Sequence, residues 1–198
     1  MGKVYLYDYE DSLCWKPFDL SDKEEFKKRN IWIGENVEFG ENVFISRGAT
    51  IRDQVKIQSY VVIGDHVTIG DRATIEDHVK ILGYSTILKY AVIRDRAEIG
   101  NQTLIGLNAV IEDYAKIGDR VVIGYSAKIG YGAEIRDYVT IGDSAEIGYR
   151  AKIRGYVKIG DSAVIGCYAK IGDRAVIGPG VTIKEGVNLE AFSVVCPA

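Results

Sequence analysis

The sequence predicts an all-β solenoid of short strands and tight corners, on three observations. From Ile33 to Val195 a large apolar residue recurs at every sixth position without insertion or deletion; 25 of these 28 positions are Ile, the others being Phe39, Leu189 and Val195. Counting that residue as position one, position five is Val, Ala, Thr or Ser in all 27 complete hexads. Position two is Gly in 15 of the 27, and position three is often Asp, as in Gly64-Asp65, Gly118-Asp119 and Gly172-Asp173.

The spacing explains each element. Position five and the next position one lie two residues apart, so on a strand both point inward while position six between them points out. A small and then a large inward residue make a short strand, and positions two to four make the corner. Glycine suits that corner by tolerating unusual φ/ψ, and aspartate by bonding its own backbone. A single hexad cannot bury its Ile, so coils must stack. Each fully buried Ile then contributes about 1.5–3 kcal/mol gross, most of it offset by the entropy of ordering the chain.

Residues 1–32 lie outside the repeat and are expected to form an N-terminal cap segment, with residues 33–198 as the solenoid. Val4-Tyr5-Leu6-Tyr7 reads as a short strand. Ser21-Asp22-Lys23-Glu24 reads as a capping box that opens a short helix through about Arg29. Covering the first coil would protect exposed strand edges; a docking arm for a partner or a second subunit is the other role open to this segment. Phe192 and the tail Cys196-Pro197-Ala198 would make a minimal cap at the other end.

Composition narrows the function. The 198 residues carry a net charge of −3 with both signs spread along the chain, so neither nucleic acid nor an anionic membrane is an expected partner. No apolar run approaches the roughly 18 residues that span a bilayer. The start, Met1-Gly2-Lys3-Val4-Tyr5-Leu6, lacks a signal-peptide segment and has Leu6 where a myristoylation signal needs Ser or Thr. Cys14, Cys167 and Cys196 are odd in number, far apart and outside any CxxC, which argues against a disulfide framework and for a cytoplasmic setting.

The hexads of residues 33–195 resemble the left-handed hexapeptide-repeat family, which includes the bacterial transferase hexapeptide and UDP-N-acetylglucosamine acyltransferase-like proteins. The resemblance implies a single-stranded left-handed parallel β-helix, a triangular prism with three hexads per coil. The left hand comes from that resemblance, since the usual crossover rule would favour the opposite one. On this reading residues 33–194 make nine coils of 18, roughly 43 Å of prism at about 4.8 Å per coil.

An 18-residue coil sorts the outward residues into three walls. One alternates in sign through Lys80, Glu98, Lys116, Glu134 and Lys152, a favourable cross-strand pattern. A second is mixed. The third, with Thr68, Thr86, Leu104, Val122, Thr140 and Val176, is flat, β-branched and nearly uncharged, and is the candidate oligomer face; β-propensity alone would also place Thr and Val there. The resemblance implies a homo-oligomer, with a trimer favoured. Corner position four carries Tyr60, His78, Arg96 and Tyr114 down one edge and Tyr138, Tyr156 and Arg174 down another, which suits stacking and cation–π contact.

The resemblance is less specific for activity. Acyltransferases of this kind use a histidine as general base beside a protruding loop, with acyl-CoA between neighbouring prisms. The two histidines, His66 and His78, both stand at position four, twelve residues apart and hence on different corners. No loop interrupts the repeat. Laid on the zinc-binding pattern of γ-class carbonic anhydrases, the ligand places hold Gly64, Asp71 and Glu76, which is no ligand set, so no metal is expected. Nucleotidyl transfer would need a Gly-rich phosphate loop and an α/β domain. Two functions stay open. One is a non-catalytic oligomeric scaffold or binding module without a cofactor. The other is an acyl- or acetyltransferase with His66 or His78 as base and acetyl-CoA as cofactor. The monotony of the repeat is that of a consensus-like or engineered chain, whereas the irregular opening and the scattered Gln58, Leu107 and Asn108 read as natural.

Overall fold

Ile63 pairs with Ile81 and Ile81 with Ile99, 18 residues apart each time, so the hexad column becomes a stack of coils. The computed structural model describes residues 3–8 and 14–197. Its strands, most of them two residues long, form three sheets of eleven, ten and nine strands, parallel except for one strand at the N-terminal end. These are the three walls, about nine turns in all. Met1, Gly2 and Ala198, named above, lie outside the described residues. Among the described residues no helix is long and apolar enough to cross a membrane.

The prism interior is apolar and continuous. Every Ile from Ile45 to Ile183 is buried, together with the Val and Ala at position five from Val43 to Val181. Small residues face large ones because the prism is too narrow for two large side chains at neighbouring inward places. Two buried position-five residues are polar and still satisfied. The Ser85 hydroxyl donates to the Gly100 carbonyl at 2.6 Å and accepts from the Thr103 N–H at 3.2 Å. Thr103 repeats this one coil on, donating to Gly118 at 2.8 Å and accepting from the Val121 N–H at 3.2 Å.

The corners depart from the sequence reading in two ways. Positive φ falls at position four, carried mostly by non-glycine residues such as Asn36, Tyr60, Arg96 and Tyr138. Position-two glycine is needed for space instead: a Cβ on Gly100 would lie 2.4 Å from the carbonyl carbon and oxygen of Gly118 in the next coil. Aspartate at position three bonds the neighbouring coil and not its own backbone. Asp95 Oδ1 accepts from the Asp77 N–H at 3.1 Å, Asp113 from Asp95 at 3.1 Å, and Asp137 from Asp119 at 2.9 Å. The corners are thus hydrogen-bonded ladders running parallel to the walls.

At the N-terminal end β1 (Lys3–Asp8) lies parallel to residues 43–45, with Val4 opposite Val43 and Leu6 opposite Ile45. All four side chains are fully buried, so the core starts before the hexads do. β2 (Cys14–Asp19) folds back antiparallel on β1 and lengthens the lysine–glutamate wall. The helix α1 (Lys23–Lys28) forms as expected and buries Phe26, but its N-cap, Asp22, makes no side-chain cap bond. Ser21 turns its N–H and hydroxyl to Asp19 Oδ1 at 2.9 and 2.7 Å, which holds that carboxyl below its usual range. The chain then enters the repeat through β3 (Trp32–Ile33) on the threonine wall and β4 (Glu38–Phe39) on the mixed wall.

Candidate functional site

Position four projects outward from the left-handed conformation, so the functional side chains singled out in the sequence sit on the prism edges. His66 (φ 55°) stands on the edge between the lysine–glutamate and threonine walls, and His78 (φ 60°) on the edge between the mixed and lysine–glutamate walls. Both are exposed. Each ring stacks on an aromatic neighbour in an adjacent coil: His66 on Tyr84 with centroids 5.0 Å apart, and His78 on Tyr60 at 4.9 Å. Gly48 lies under His66, and a Cβ there would come within 2.3 Å of His66 Nδ1. The glycine is therefore the seat of that imidazole.

The remaining edge residues form ladders. Arg96 and Arg120 each hydrogen-bond the tyrosine one coil on, Tyr114 and Tyr138, and lie over those rings at 5.3 and 5.2 Å. Tyr138 stacks on Tyr156 at 4.8 Å, with Arg174 over Tyr156 at 5.6 Å. On the third edge Arg72 donates to Gln54 and to the Tyr90 hydroxyl, and that second bond lowers the phenol's pKa. Two of these edges continue through Tyr131, Tyr149 and Phe192, which the sequence reading of the ladders did not name as members.

The walls also differ in detail from the charge pattern. Lys80, Glu98, Lys116, Glu134 and Lys152 are in register, yet among the described residues of this column only Glu134–Lys152 closes to an ion pair, at 3.0 Å. That bond keeps the Glu134 carboxyl below its usual range. On the threonine wall Thr68, Thr86 and Leu104 are half-buried, while Val122, Thr140 and Val176 are exposed. Gly64, Asp71 and Glu76 fall at three different corners of the prism. Among the described residues no group of three His, Cys, Asp or Glu side chains could hold a metal ion.

One concave site adjoins a sequence candidate. A groove of about 460 Å³ lies between the N-terminal hairpin and the His66 edge, lined by Tyr7, Trp15, Ser46, Asp65, Gly83, Tyr84 and Asn101. Tyr7 and Trp15 meet edge to face at 5.1 Å and wall it on the hairpin side. Tyr84, which carries the His66 ring, walls it on the other. The floor is polar: Asp65, which faces Arg47 at 3.8 Å, and Asn101, whose N–H and amide both donate to Asp119 at 2.7 and 3.1 Å. The sequence reading missed this groove because its walls are about 70 residues apart along the chain. Its one local signal is Gly83 replacing Asp at position three, which removes a side chain where the hairpin approaches.

Comparisons with known proteins place this architecture. Three family models match: the C-terminal domain of GMPPB over residues 39–125, the hexapeptide repeat of succinyl-transferase over 114–142, and the bacterial transferase hexapeptide over 162–197. No curated protein matches the sequence. Among solved structures, UDP-N-acetylglucosamine acyltransferase from Campylobacter jejuni is 24% identical, with 72% of this chain and 63% of that one covered and a TM-score of 0.69. LpxA from Acinetobacter baumannii is 18% identical, with 78% and 67% covered and a TM-score of 0.69. LpxA from Bacteroides fragilis is 21% identical, with 77% and 66% covered and a TM-score of 0.71. The chain spans about two thirds of the length of these proteins. Its fold is that of a left-handed parallel β-helix built from hexapeptide repeats.

Proposed function

We propose that the chain is an acyltransferase of the hexapeptide-repeat kind, moving an acyl group from acyl-CoA to a hydroxyl or amine with His66 as general base. A shared fold alone suits many activities. The observation that carries the proposal is the groove lined by Asp65 and Tyr84, the chain neighbour and the stacking partner of His66. The names of the solved neighbours, acyltransferases at TM-scores of 0.69–0.71, support the same class.

In this reading the acceptor lies on the polar floor with its nucleophilic atom toward the His66 imidazole. The imidazole takes the acceptor's proton as that atom attacks the thioester carbonyl. The tetrahedral intermediate then collapses, the C–S bond breaks, and the imidazolium returns its proton to the departing CoA thiolate. Stacking on Tyr84 and the seat on Gly48 hold the ring's orientation. Acetyl-CoA titrated into the protein by calorimetry should give a saturable heat, and turnover with an amine or sugar acceptor should fall at least a hundredfold in His66→Ala and stay near wild type in His78→Ala. Saturable binding without any loss in His66→Ala would remove His66 as the base. No heat at all would overturn the transferase reading.

A second reading rests on a different observation. Residues 33–195 carry no protruding loop, and their edges are filled with ladders that stiffen the rod. That suits a non-catalytic oligomeric scaffold or binding module assembled through the threonine wall, a trimer by the resemblance. The cytoplasmic setting inferred from the three scattered cysteines belongs to both readings.

A further inference from the structure

The N-terminal end of the prism is finished on one wall and open on two. β1 and β2 extend the lysine–glutamate wall, whereas β3 and β4 are the edge strands of the other two sheets. Between these edges and α1 runs a groove of about 810 Å³, and its apolar lining is Leu20, Phe26, Ile31, Ile33, Val37 and Phe39, with half-exposed Trp32 at the lip. Ile33, Val37 and Phe39 are inward residues that a preceding coil would have covered, and they are only partly buried.

The backbone at this edge is equally unfinished. The N–H groups of Trp32 and Gly34 point into the solenoid, to Ala49 at 2.9 Å and Ile51 at 2.8 Å. Strand alternation therefore turns the N–H and C=O of Ile33, between them, toward the groove. The same holds for Phe39, between Glu38 and Gly40, which donate to Val55 and Ile57. Charge adds a direction. On and beside α1, Glu25 pairs with both Lys28 at 2.5 Å and Arg29 at 2.6 Å. Lys23 and Lys27, one turn apart and both lining the groove, form no ion pair among the described residues. Glu35 is the one acid in the lining.

We infer that this groove docks an acidic peptide segment of another protein, which adds as a short strand on β3, bends at the corner as the chain itself does, and adds again on β4. A hydrocarbon chain would cover the apolar lining but leave the edge peptide groups buried and unpaired, at about 1–3 kcal/mol each. A strand supplies both donors and acceptors, sets alternate apolar side chains on Ile33, Val37 and Phe39, and turns its acids to Lys23 and Lys27. This docking does not depend on the transferase reading, because the two grooves share no lining residue.

The test uses the full chain in a Trp15→Phe background, so that Trp32 is the fluorescent reporter, and a blocked synthetic peptide repeating Asp143–Gly148 (DSAEIG) as probe. Saturable Trp32 quenching is expected, with hydrogen exchange of the peptide's amides slowed about tenfold or more in the complex. Lys23→Glu with Lys27→Glu, both exposed, should weaken binding about tenfold or more. N-methylation of the peptide's Glu and Ile amides should abolish it. Equal binding of the N-methylated peptide would overturn strand addition, and so would decanoate saturating the groove while the peptide leaves Trp32 unchanged.

Discussion

At the residue scale the corner holds opposing costs. Tyr156 sits at φ 61°, sandwiched between Tyr138 and Arg174. A non-glycine residue there gives up about 1–2 kcal/mol, and the stacks return about 0.5–1.5 kcal/mol. Tyr156→Gly should therefore stay within about 1 kcal/mol of wild type. Tyr156→Val, which loses the stacks and adds β-branched strain, should cost about 2 kcal/mol or more in urea denaturation. Equal midpoints for the two variants would show that φ strain does not matter at this edge. The ladder behind it makes a second prediction. Asp119 accepts the N–H and amide of Asn101, so Asp119→Ala should cost about 1 kcal/mol and Asp119→Asn less, since its amide oxygen can still accept. Gly100→Ala meets backbone at 2.4 Å and should cost more, about 2–3 kcal/mol. The sequence made the inward residues legible, because burial imposes a strict period on Ile. It misassigned the corner because Gly and Asp there answer to the neighbouring coil, 18 residues away, which local turn chemistry does not reveal.

Among the elements, the threonine wall is a flat strand surface that leaves apolar side chains exposed. Val122 is 40% exposed and Val176 39%, and no charge in their own column interrupts the wall between Trp32 and Thr140. If subunits meet there, Val122→Arg puts an unpaired cation into each contact, at a cost of several kcal/mol, and light scattering should report monomers. An unchanged oligomer mass would remove this wall as the interface, and the lysine–glutamate wall would not replace it, since its charges face solvent. The N-terminal elements are only partly legible in the sequence, for a physical reason. The alternation Val4-Leu6 declares a strand by itself. That this strand would stack on Val43 and Ile45, and that β2 would return to make a groove with Tyr84, depends on contacts far apart in sequence. The capping box failed because Asp19, two residues before Ser21, competes for its hydroxyl.

For the whole molecule, each coil touches only its two neighbours, so stability is a sum of stacking terms and the ends decide where opening begins. The ends are unequal. Phe26 is buried against the first coils and β1 adds Val4 and Leu6 to the core, whereas Val187, Leu189 and Val195 in the last coil are only partly buried and Phe192 is 65% exposed. Losing the last coil uncovers one stacking interface, that of Ile165, Ile171 and Ile177; opening the first coil uncovers its own interface and also lifts Val4, Leu6 and Phe26 out of the core. Native-state hydrogen exchange should therefore show a gradient. The N–H groups of Lys170 and Gly172, which donate to Val187 and Leu189, should exchange first. Those of Glu98 and Leu104, donating to Ala115 and Val121 in the middle of the rod, should exchange last, and that of Phe44, which donates to Val61, should lie near them. Phe26→Ala, costing about 3–5 kcal/mol locally, should move Phe44 toward the fast end and leave Lys170 where it was. Uniform protection from Phe44 to Gly172, or a shift of both ends together in Phe26→Ala, would mean that the rod opens as one cooperative unit and not coil by coil.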